Sequence, residues 1–204
     1  MTQGDFFENK NNLIISGDEG EAEYIPNFLS KEEADGYFDL INSDTPWDRP
    51  LIKMFNKTFP VPRDTAWYGE KGYVYSGIKN NPLPLTETLE KLKKKVSEKC
   101  EAEFNSLLLN RYQSGVDKLG WHADDETELK NCLCIASISF GEGRDFRIRK
   151  KSIYRSPEDS AKKIFLEHGS LLIMRAPMQS FWEHEVPKRK TSEVRINLTF
   201  RNVS

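Results

Sequence analysis

Two short stretches of the chain carry side chains that could bind a metal ion. His122 and Asp124 lie two positions apart within 121–126, and His184 lies within 181–187. Residues two apart on extended backbone point to the same side, so His122 and Asp124 could close on one ion. The chain contains only three histidines, and two of them occur in these stretches. We therefore predict that His122, Asp124 and His184 bind one metal ion.

The types of these ligands favour iron. Two histidines and one carboxylate leave open positions on an octahedral metal, which is the facial arrangement of non-haem Fe(II) oxygenases. A structural zinc ion prefers four protein ligands, usually with cysteine, but catalytic zinc can also use two histidines and one carboxylate. A zinc hydrolase therefore stays open as an alternative. For the third histidine, His168, which stands beside Gly169 at a predicted turn, we expect a structural role.

The last predicted strand offers a site for an anionic co-substrate. Its polar residues alternate with apolar ones, so the polar residues share one face. Two arginines on an inward face are unfavourable unless they bind anions, and a dicarboxylic acid would pair with both. Asn110 and Tyr112, on an earlier predicted strand, could complete such a pocket. The alternative is an exposed polar face. The four polar residues are Arg195, Asn197, Thr199 and Arg201.

Two helices and a series of strands must position these residues. Ser30 begins a capping-box pattern, which predicts a helix over about 31–42. An apolar stripe predicts a second helix over 85–103. From residue 104 onward, short apolar or alternating runs predict strands, with a hairpin over 163–174. Many short strands after two helices indicate an antiparallel double sheet with the helices packed outside it.

Composition sets wider bounds on the protein. A chain of 204 residues with 37% hydrophobic residues suits one domain with a substantial core. The net charge of −2 favours no class of partner, although local basic runs could bind phosphates or be solvated surface. Three cysteines without a paired framework suit reduced thiols. We expect a soluble intracellular monomer that is not membrane-bound, in the nucleus or cytoplasm if eukaryotic.

Several stretches, in order along the chain, resemble a known family. They are 121–126 (WHADDE), 137–141 (SISFG), 168–174 (HGSLLIM), 182–188 (WEHEVPK) and 195–201 (RINLTFR). Together they strongly resemble the AlkB family of iron- and 2-oxoglutarate-dependent nucleic-acid dealkylases. Upstream, 61–70 and 105–112 resemble the branch that includes the animal repair dealkylases. The resemblance extends over roughly residues 20–203.

This resemblance implies a fold class and a division of the chain. The expected class is α+β, mainly β, with a double-stranded β-helix (jelly-roll) core, outer helices and an N-terminal nucleotide-recognition lid. We expect one domain over 1–204. Within it we expect a loose N-terminus at 1–20, the helices and lid at 21–103, and the catalytic core at 104–203.

The resemblance also implies a reaction. The three metal ligands would hold Fe(II), with 2-oxoglutarate and O2 as co-substrates. Arg195 would pair with the distal carboxylate of 2-oxoglutarate, and Arg201 would serve the metal-proximal end. Residues that would assist them are Asn110, Tyr112, Asn197 and Thr199. The expected reaction removes methyl groups from bases of the 1-methyladenine and 3-methylcytosine type in DNA, with RNA as a further candidate, and releases formaldehyde, succinate and CO2.

A methyl group on the pairing edge of a base is reached only when that base is unpaired or flipped out. The resemblance implies that Tyr75 and His122 cover the two faces of the base. Carboxylates after the metal motif would accept hydrogen bonds from its exocyclic amine. The expected substrate contacts are Phe55, Tyr73, Tyr75, Asp125, Glu126, Arg144, Lys188, Arg189 and Lys190. For Phe55 the alternative is packing within the lid, and for Arg144 it is an internal salt bridge.

Other functions stay open beside the demethylase. One is a catalytically silent relative that only binds nucleic acid, and another is the zinc hydrolase. A third is a dioxygenase that acts on RNA only, or on a methylated protein side chain. The sequence leaves the choice between DNA and RNA, and between single and double strands, to experiment.

Overall fold

The structure, a computed structural model, describes residues 12–54, 57–69, 73–75, 78–80, 82–129 and 132–204. The helices in these residues are α1 Lys31–Asp44, α2 Glu87–Cys100 and α3 Met178–Phe181. None of the described helices is long and apolar enough to span a bilayer. The strands are β1 Leu13–Ile15, β2 Glu21–Ile25, β3 Leu51–Met54, β4 Lys57–Pro60, β5 Asp64–Gly69, β6 Tyr73–Tyr75, β7 Ile78–Asn80, β8 Ser106–Tyr112, β9 Leu119–His122, β10 Cys134–Gly141, β11 Arg144–Lys150, β12 Lys162–Leu166, β13 Ser170–Arg175, β14 Trp182–Val186 and β15 Arg195–Arg201.

Two antiparallel sheets form the core. The larger sheet has seven strands in the order β1-β2-β13-β10-β15-β8-β5, and the smaller has four in the order β12-β11-β14-β9. From β8 onward the chain passes repeatedly from one sheet to the other, which is the winding of a jelly roll. One apolar cluster lies between the sheets, and a second lies between the larger sheet and helices α1 and α2. The predicted mainly-β jelly-roll core with outer helices is confirmed.

Strand β15 shows how sequence alternation divides the interior. Its apolar residues Ile196, Leu198 and Phe200 are fully buried in the cluster below the helices. Its four polar residues face the other way, into the space between the sheets, and each is at most 7% exposed. The strand lies between β10 and β8 in the sheet, so both of its edges are paired, and the residues on both of its faces are buried. The alternative of an exposed polar face is therefore wrong.

Helix α1 begins where the sequence predicts, and helix α2 begins at Glu87, two residues later than predicted. The Ser30 hydroxyl accepts a hydrogen bond from the Glu33 N–H at 3.2 Å, and the Glu33 carboxylate accepts one from the Ser30 N–H at 3.0 Å. This capping box satisfies two N–H groups that the first turn of α1 would otherwise leave unpaired. Helix α2 is capped by Thr86 and buries its apolar stripe against the larger sheet.

Two sequence predictions about local structure need correction. The predicted hairpin over 163–174 is wrong, because β12 pairs with β11 in the smaller sheet and β13 pairs with β10 and β2 in the larger. The chain changes sheets at 167–169, where Gly169 takes a φ of 75° and donates its N–H to Ser139. The loose terminus predicted for 1–20 is wrong for Leu13–Ile15, which forms β1 on β2 and buries Ile15.

The region predicted to be the lid forms two small hairpins. Strand β3 pairs with β4, and β6 pairs with β7. Phe55 lies outside the described residues. The backbones of Tyr73 and Tyr75 belong to β6, but their side chains lie outside the described part of the protein. The lid and the division of the chain at residue 103 therefore stay predictions.

The capping box allows a direct test of the helix assignment. Replacing Ser30 with alanine should lower the free energy of unfolding by about 1 kcal/mol, because an N–H of the first turn loses its partner. Urea denaturation followed by circular dichroism measures this change. Ser160→Ala is the matched control, since Ser160 is exposed in a loop. Equal stabilities of the two variants would contradict the role given to the cap.

Candidate active site

The three predicted metal ligands meet at one end of the space between the sheets. His122 ends β9 and lies opposite His184 of β14 in the strand register. Asp124 follows β9 by two residues. One ligating atom from each residue lies within 4.8 Å of the other two. Asp124 and His184 are buried, whereas His122 is partly exposed, so one side of the cluster is open to the pocket.

Neighbouring groups orient both histidine rings. The Nδ1 atom of His122 lies 2.9 Å from the carbonyl oxygen of Gly120. A carbonyl only accepts, so Nδ1 carries the proton and Nε2 keeps its lone pair for a metal. The His184 ring stacks on Phe146, with centroids 5.0 Å apart and an angle of 27° between the planes. The two rings are thus fixed before any metal binds.

Asp124 is held from two directions. Its Oδ1 atom accepts a hydrogen bond from Nη2 of Arg201 at 2.7 Å, with both side chains buried. Its backbone N–H donates to Oε1 of Gln179 at 3.0 Å. Arg201 belongs to the larger sheet and Gln179 to α3, so three separate segments meet at this ligand. Arg201 is therefore a positioning residue for Asp124.

The protonation states of the ligands suit a divalent metal. Burial raises the pKa of Asp124, but nearby positive groups, Arg201 first, outweigh burial and lower it to about 2. Burial, followed by repulsion from His122, lowers the pKa of His184 to about 3. At neutral pH the site therefore presents a carboxylate and a neutral imidazole, which are the forms that bind metals.

Arg195 lies in the same pocket and is 1% exposed. Its Nη2 donates to the Ser139 hydroxyl at 2.9 Å, and its guanidinium lies 5.1 Å from the centre of the Tyr112 ring. Its Nε and Nη1 are buried and have no hydrogen-bond partner among the described residues. Burial lowers its pKa only to about 10, so it stays cationic at neutral pH. A buried cation with two unused donors fits a carboxylate ligand.

The other predicted co-substrate residues also line this pocket, but several already use hydrogen-bonding groups within the protein. The Asn110 side-chain oxygen accepts from Nε of Arg63 at 2.6 Å. Asn197 donates to the Ser137 hydroxyl at 2.6 Å, and its oxygen accepts from the Thr199 hydroxyl at 3.1 Å. The predicted set is brought together at the metal cluster by adjacent strands β8 and β15.

Sequence reasoning missed several polar residues at this site, among them Arg63, Ser139 and Gln179. Arg63 lies in 61–70, one of the stretches that carry the resemblance, but the sequence does not show that this residue is only 4% exposed. Ser139 alternates with apolar residues on β10, as the polar residues of β15 do, so its face was predictable. Nothing local marks Gln179, because its partner Asp124 is 55 positions away.

The predicted substrate contacts differ in their exposure and in the partners they already have within the protein. Asp125 is exposed and forms an ion pair with Lys151 at 2.7 Å. One carboxylate oxygen of Glu126 is buried and has no hydrogen-bond partner among the described residues. Lys188 and Lys190 are exposed, while Arg189 donates to the carbonyl oxygen of Gly143 at 2.6 Å.

Arg144 does not line the pocket. It is 1% exposed, and its guanidinium donates to the carbonyl oxygens of Ser114, Asp117 and Pro187. Within the described residues it forms no ion pair, so the alternative of an internal salt bridge is wrong for that part of the chain. The residue joins two loops at the pocket rim, and a contact with substrate stays a prediction.

His168 serves the fold, as expected. Its Nδ1 accepts from the Gly141 N–H at 2.8 Å, and its Nε2 lies 3.1 Å from an oxygen of Asp35 in α1. Of the three histidines in the chain, His168 is the one that lies outside the metal cluster.

Comparisons with known proteins agree with this geometry. The model of the 2OG-Fe(II) oxygenase superfamily matches residues 21–201. Alpha-ketoglutarate-dependent dioxygenase alkB homolog 3 of Bos taurus is 44% identical over 187 residues, which are 87% of this chain and 64% of that protein. DNA oxidative demethylase ALKBH2 of Mus musculus is 38% identical over 184 residues, which are 86% of this chain and 77% of that protein. The chain thus spans slightly less than two thirds of the length of its alkB homolog 3 relative.

A solved structure shares the fold at low sequence identity. OsALKBH1 superposes with a TM-score of 0.62 and 19% identity, covering 89% of this chain and 97% of that one. A 2OG-Fe(II) oxygenase family oxidoreductase from Burkholderia pseudomallei superposes with a TM-score of 0.58 and 12% identity, covering 89% of this chain and 85% of that one.

The metal cluster can be tested by exchanging histidines. His184→Ala should weaken Fe(II) or Co(II) binding by more than about 100-fold, because it removes a direct ligand. Loss of a residue that only hydrogen-bonds to a ligand typically weakens metal binding by about 10- to 100-fold. Anaerobic calorimetric titration measures this affinity. His168→Gln is the control, since it removes the chain's only histidine outside the cluster and should leave metal affinity unchanged. Loss of binding in the control would contradict the assignment.

Gln179 should support the metal site through the backbone of Asp124. Gln179→Met keeps the side-chain length but cannot accept the Asp124 N–H, so metal affinity should fall by about 10-fold. The same titration applies, with the neighbouring exposed residue changed as Ser180→Ala for comparison. Equal affinities in both variants would show that this hydrogen bond does not position the ligand.

Proposed function

The chain belongs to the 2OG-Fe(II) oxygenase superfamily, in its AlkB branch, and on this premise we propose that it removes methyl groups oxidatively from N-alkylated bases in nucleic acid. The reactants of the superfamily are Fe(II), 2-oxoglutarate and O2. When bound, the iron supplies the oxidation, in which 2-oxoglutarate becomes succinate and CO2 and the oxidised methyl group leaves as formaldehyde. His122, Asp124 and His184 are the proposed iron ligands.

One observation supports this function over the alternatives. The buried guanidinium of Arg195 has two donors without partners in the described part of the chain, and it lies in the same pocket as the metal cluster. A buried cation is costly unless an anion meets it, and a carboxylate meets a guanidinium with paired hydrogen bonds. We assign Arg195 to the distal carboxylate of 2-oxoglutarate. A zinc hydrolase gives this arginine no task, which makes that alternative weaker.

Other residues of the pocket have different proposed roles in holding the co-substrate. The Asn110 oxygen is occupied by Arg63, so the asparagine can offer only its NH2 group to a ligand. We propose that this group, together with Tyr112, contacts 2-oxoglutarate. Asn197 and Thr199 already bond within the protein, which supports a bracing role for them. Arg201 keeps the Asp124 carboxylate oriented while the co-substrate binds beside it.

The residues after the metal motif suit a base that carries positive charge. Glu126 has a buried carboxylate oxygen without a hydrogen-bond partner among the described residues. Methylation on the pairing edge leaves adenine or cytosine cationic, so this oxygen and Asp125 would favour the methylated base over its neutral parent. The exocyclic amine of the base would donate the hydrogen bond that Glu126 lacks.

Aromatic and basic side chains supply the remaining proposed substrate contacts. Tyr73 and Tyr75 would stack on the base, Phe55 would act from the lid within 21–103, and Lys188, Arg189 and Lys190 would contact phosphates. Exposure of both lysines supports the last assignment. We propose DNA as the first substrate to test, because one relative is named a DNA oxidative demethylase. We propose an intracellular setting and a monomer, and three free thiols support the compartment.

A turnover panel tests the proposed activity. Oligonucleotides with 1-methyladenine or 3-methylcytosine, as single- and double-stranded DNA and as RNA, should lose 14 mass units, the CH2 by which methyl exceeds hydrogen, and should release formaldehyde only with Fe(II), 2-oxoglutarate and O2. A peptide with methylated lysine serves as the protein substrate. No product from any oligonucleotide, although metal and 2-oxoglutarate bind, would leave a silent relative; product from the peptide alone would move the activity to protein.

Replacing Arg195 tests the co-substrate assignment separately. Arg195→Ala should weaken 2-oxoglutarate binding by about 10- to 100-fold, as expected for loss of charged hydrogen bonds of about 1.5–3 kcal/mol. Titration of the metal-loaded protein with 2-oxoglutarate, without oxygen, measures this. Arg155→Ala, in an exposed loop, is the control. Unchanged affinity in Arg195→Ala would remove the main support for the proposal.

A further inference from the structure

Two of the three cysteines lie together, away from the active-site pocket. Cys100 is the last residue of α2, and Cys134 is the first residue of β10. Both side chains are buried in the cluster between α2 and the larger sheet, and each thiol shifts the pKa of the other. Neither residue lines the pocket that holds the metal cluster. The pair is therefore separate from the proposed demethylation site.

An arginine is positioned against this pair. Arg175 lies opposite Cys134 in the register of β13 and β10. Its Nη1 donates to the Cys100 carbonyl oxygen at 3.0 Å and lies 3.6 Å from the Cys134 sulfur. A guanidinium beside a thiol stabilises the thiolate, which is the form that reacts with oxidants.

The two thiols differ in character. The hydrogen bond from Cys100 lowers the pKa of Cys134, with a further contribution from Arg175, while burial acts against both. The same hydrogen bond, together with burial, raises the pKa of Cys100. Cys134 is thus the nucleophilic member of the pair, and Cys100 keeps its proton.

Cys134 is also the more accessible of the two thiols from the surface. Cys134 lines a surface cavity together with Arg175, and Cys100 does not. The walls of this cavity come from the end of α2 and the start of β10, and they include Glu103, Leu133 and Asn202. A small oxidant that enters the cavity therefore reaches Cys134, which lines it, before Cys100, which does not.

We propose that Cys134 and Cys100 form a peroxide-sensitive modification site that closes to a disulfide. The Cys134 thiolate attacks one oxygen of hydrogen peroxide, the O–O bond breaks, and the leaving hydroxide takes up a proton to become water. The sulfur of Cys100 then attacks the sulfenic acid on Cys134, the S–O bond breaks, and the second water leaves with the Cys100 proton. The two thiols supply the two electrons that reduce one peroxide to two waters.

The third cysteine provides an internal control. Burial raises the pKa of Cys132, and its sulfur lies 3.1 Å from the Cys134 carbonyl oxygen rather than beside Arg175. Cys132 should therefore react more slowly than Cys134, although it is the more exposed of the two.

Peroxide treatment of the full chain tests the site. Zinc replaces iron in the experiment, so that no metal redox chemistry consumes the oxidant. Peptide mapping by mass spectrometry should find a Cys100–Cys134 disulfide and a free Cys132. In Cys100→Ser, the sulfenic acid on Cys134 should persist and be trapped by dimedone. Arg175→Gln should slow formation of the disulfide several-fold, with its thermal midpoint checked to confirm folding.

Three results would overturn the proposal. One is preferential oxidation of Cys132, another is equal oxidation of all three thiols, and the third is no loss of thiol at peroxide concentrations that oxidise free cysteine. Retention of the disulfide rate in Arg175→Gln would instead contradict the part assigned to the arginine. None of these outcomes depends on demethylase activity.

Discussion

The buried ion pair between Arg201 and Asp124 is the contact on which the active site depends. Arg201 ends the last strand of the larger sheet, and Asp124 follows the strand of the smaller sheet that carries His122. Their atoms lie 2.7 Å apart with both side chains almost fully buried. Removing one partner of such a pair costs about 3–5 kcal/mol, because the other charge stays buried without compensation. The pair therefore joins the two sheets at the point where the metal ligands meet.

The fold makes such a polar interior tolerable by separating it from the apolar core. On strand β15, the side chains of Ile196, Leu198 and Phe200 point towards the helices, and the polar side chains point into the space between the sheets. Ser139 and Ser137 on the neighbouring strand β10 accept hydrogen bonds from Arg195 and Asn197. Among the described residues, Nε and Nη1 of Arg195 are buried donors with no hydrogen-bond partner. The jelly roll thus places a buried cation with donors to offer next to the cluster of candidate metal ligands.

Much of this arrangement could be predicted from the sequence, because its signals are local. The two-residue spacing of His122 and Asp124 and the alternation along β15 specify which side chains share a face. The hairpin predicted over 163–174 was wrong because two adjacent strands look the same whether they pair or enter different sheets. Gln179 escaped prediction because its partner is distant in sequence. The partners of Arg144 escaped prediction because a charged side chain gives no sign that it will bond to backbone carbonyls.

The central claim is that this pocket binds iron and a dicarboxylic 2-oxo acid together. Anaerobic titration of the Fe(II)-loaded protein with 2-oxoglutarate, followed by visible absorption, tests it most directly, since chelation of iron by a 2-oxo acid produces a charge-transfer band. We expect the band to appear and to saturate with 2-oxoglutarate, and we expect 2-oxobutanoate, which lacks the distal carboxylate, to bind far more weakly. Absence of the band, or equal affinities for the two acids, would contradict joint binding of iron and 2-oxoglutarate in this pocket.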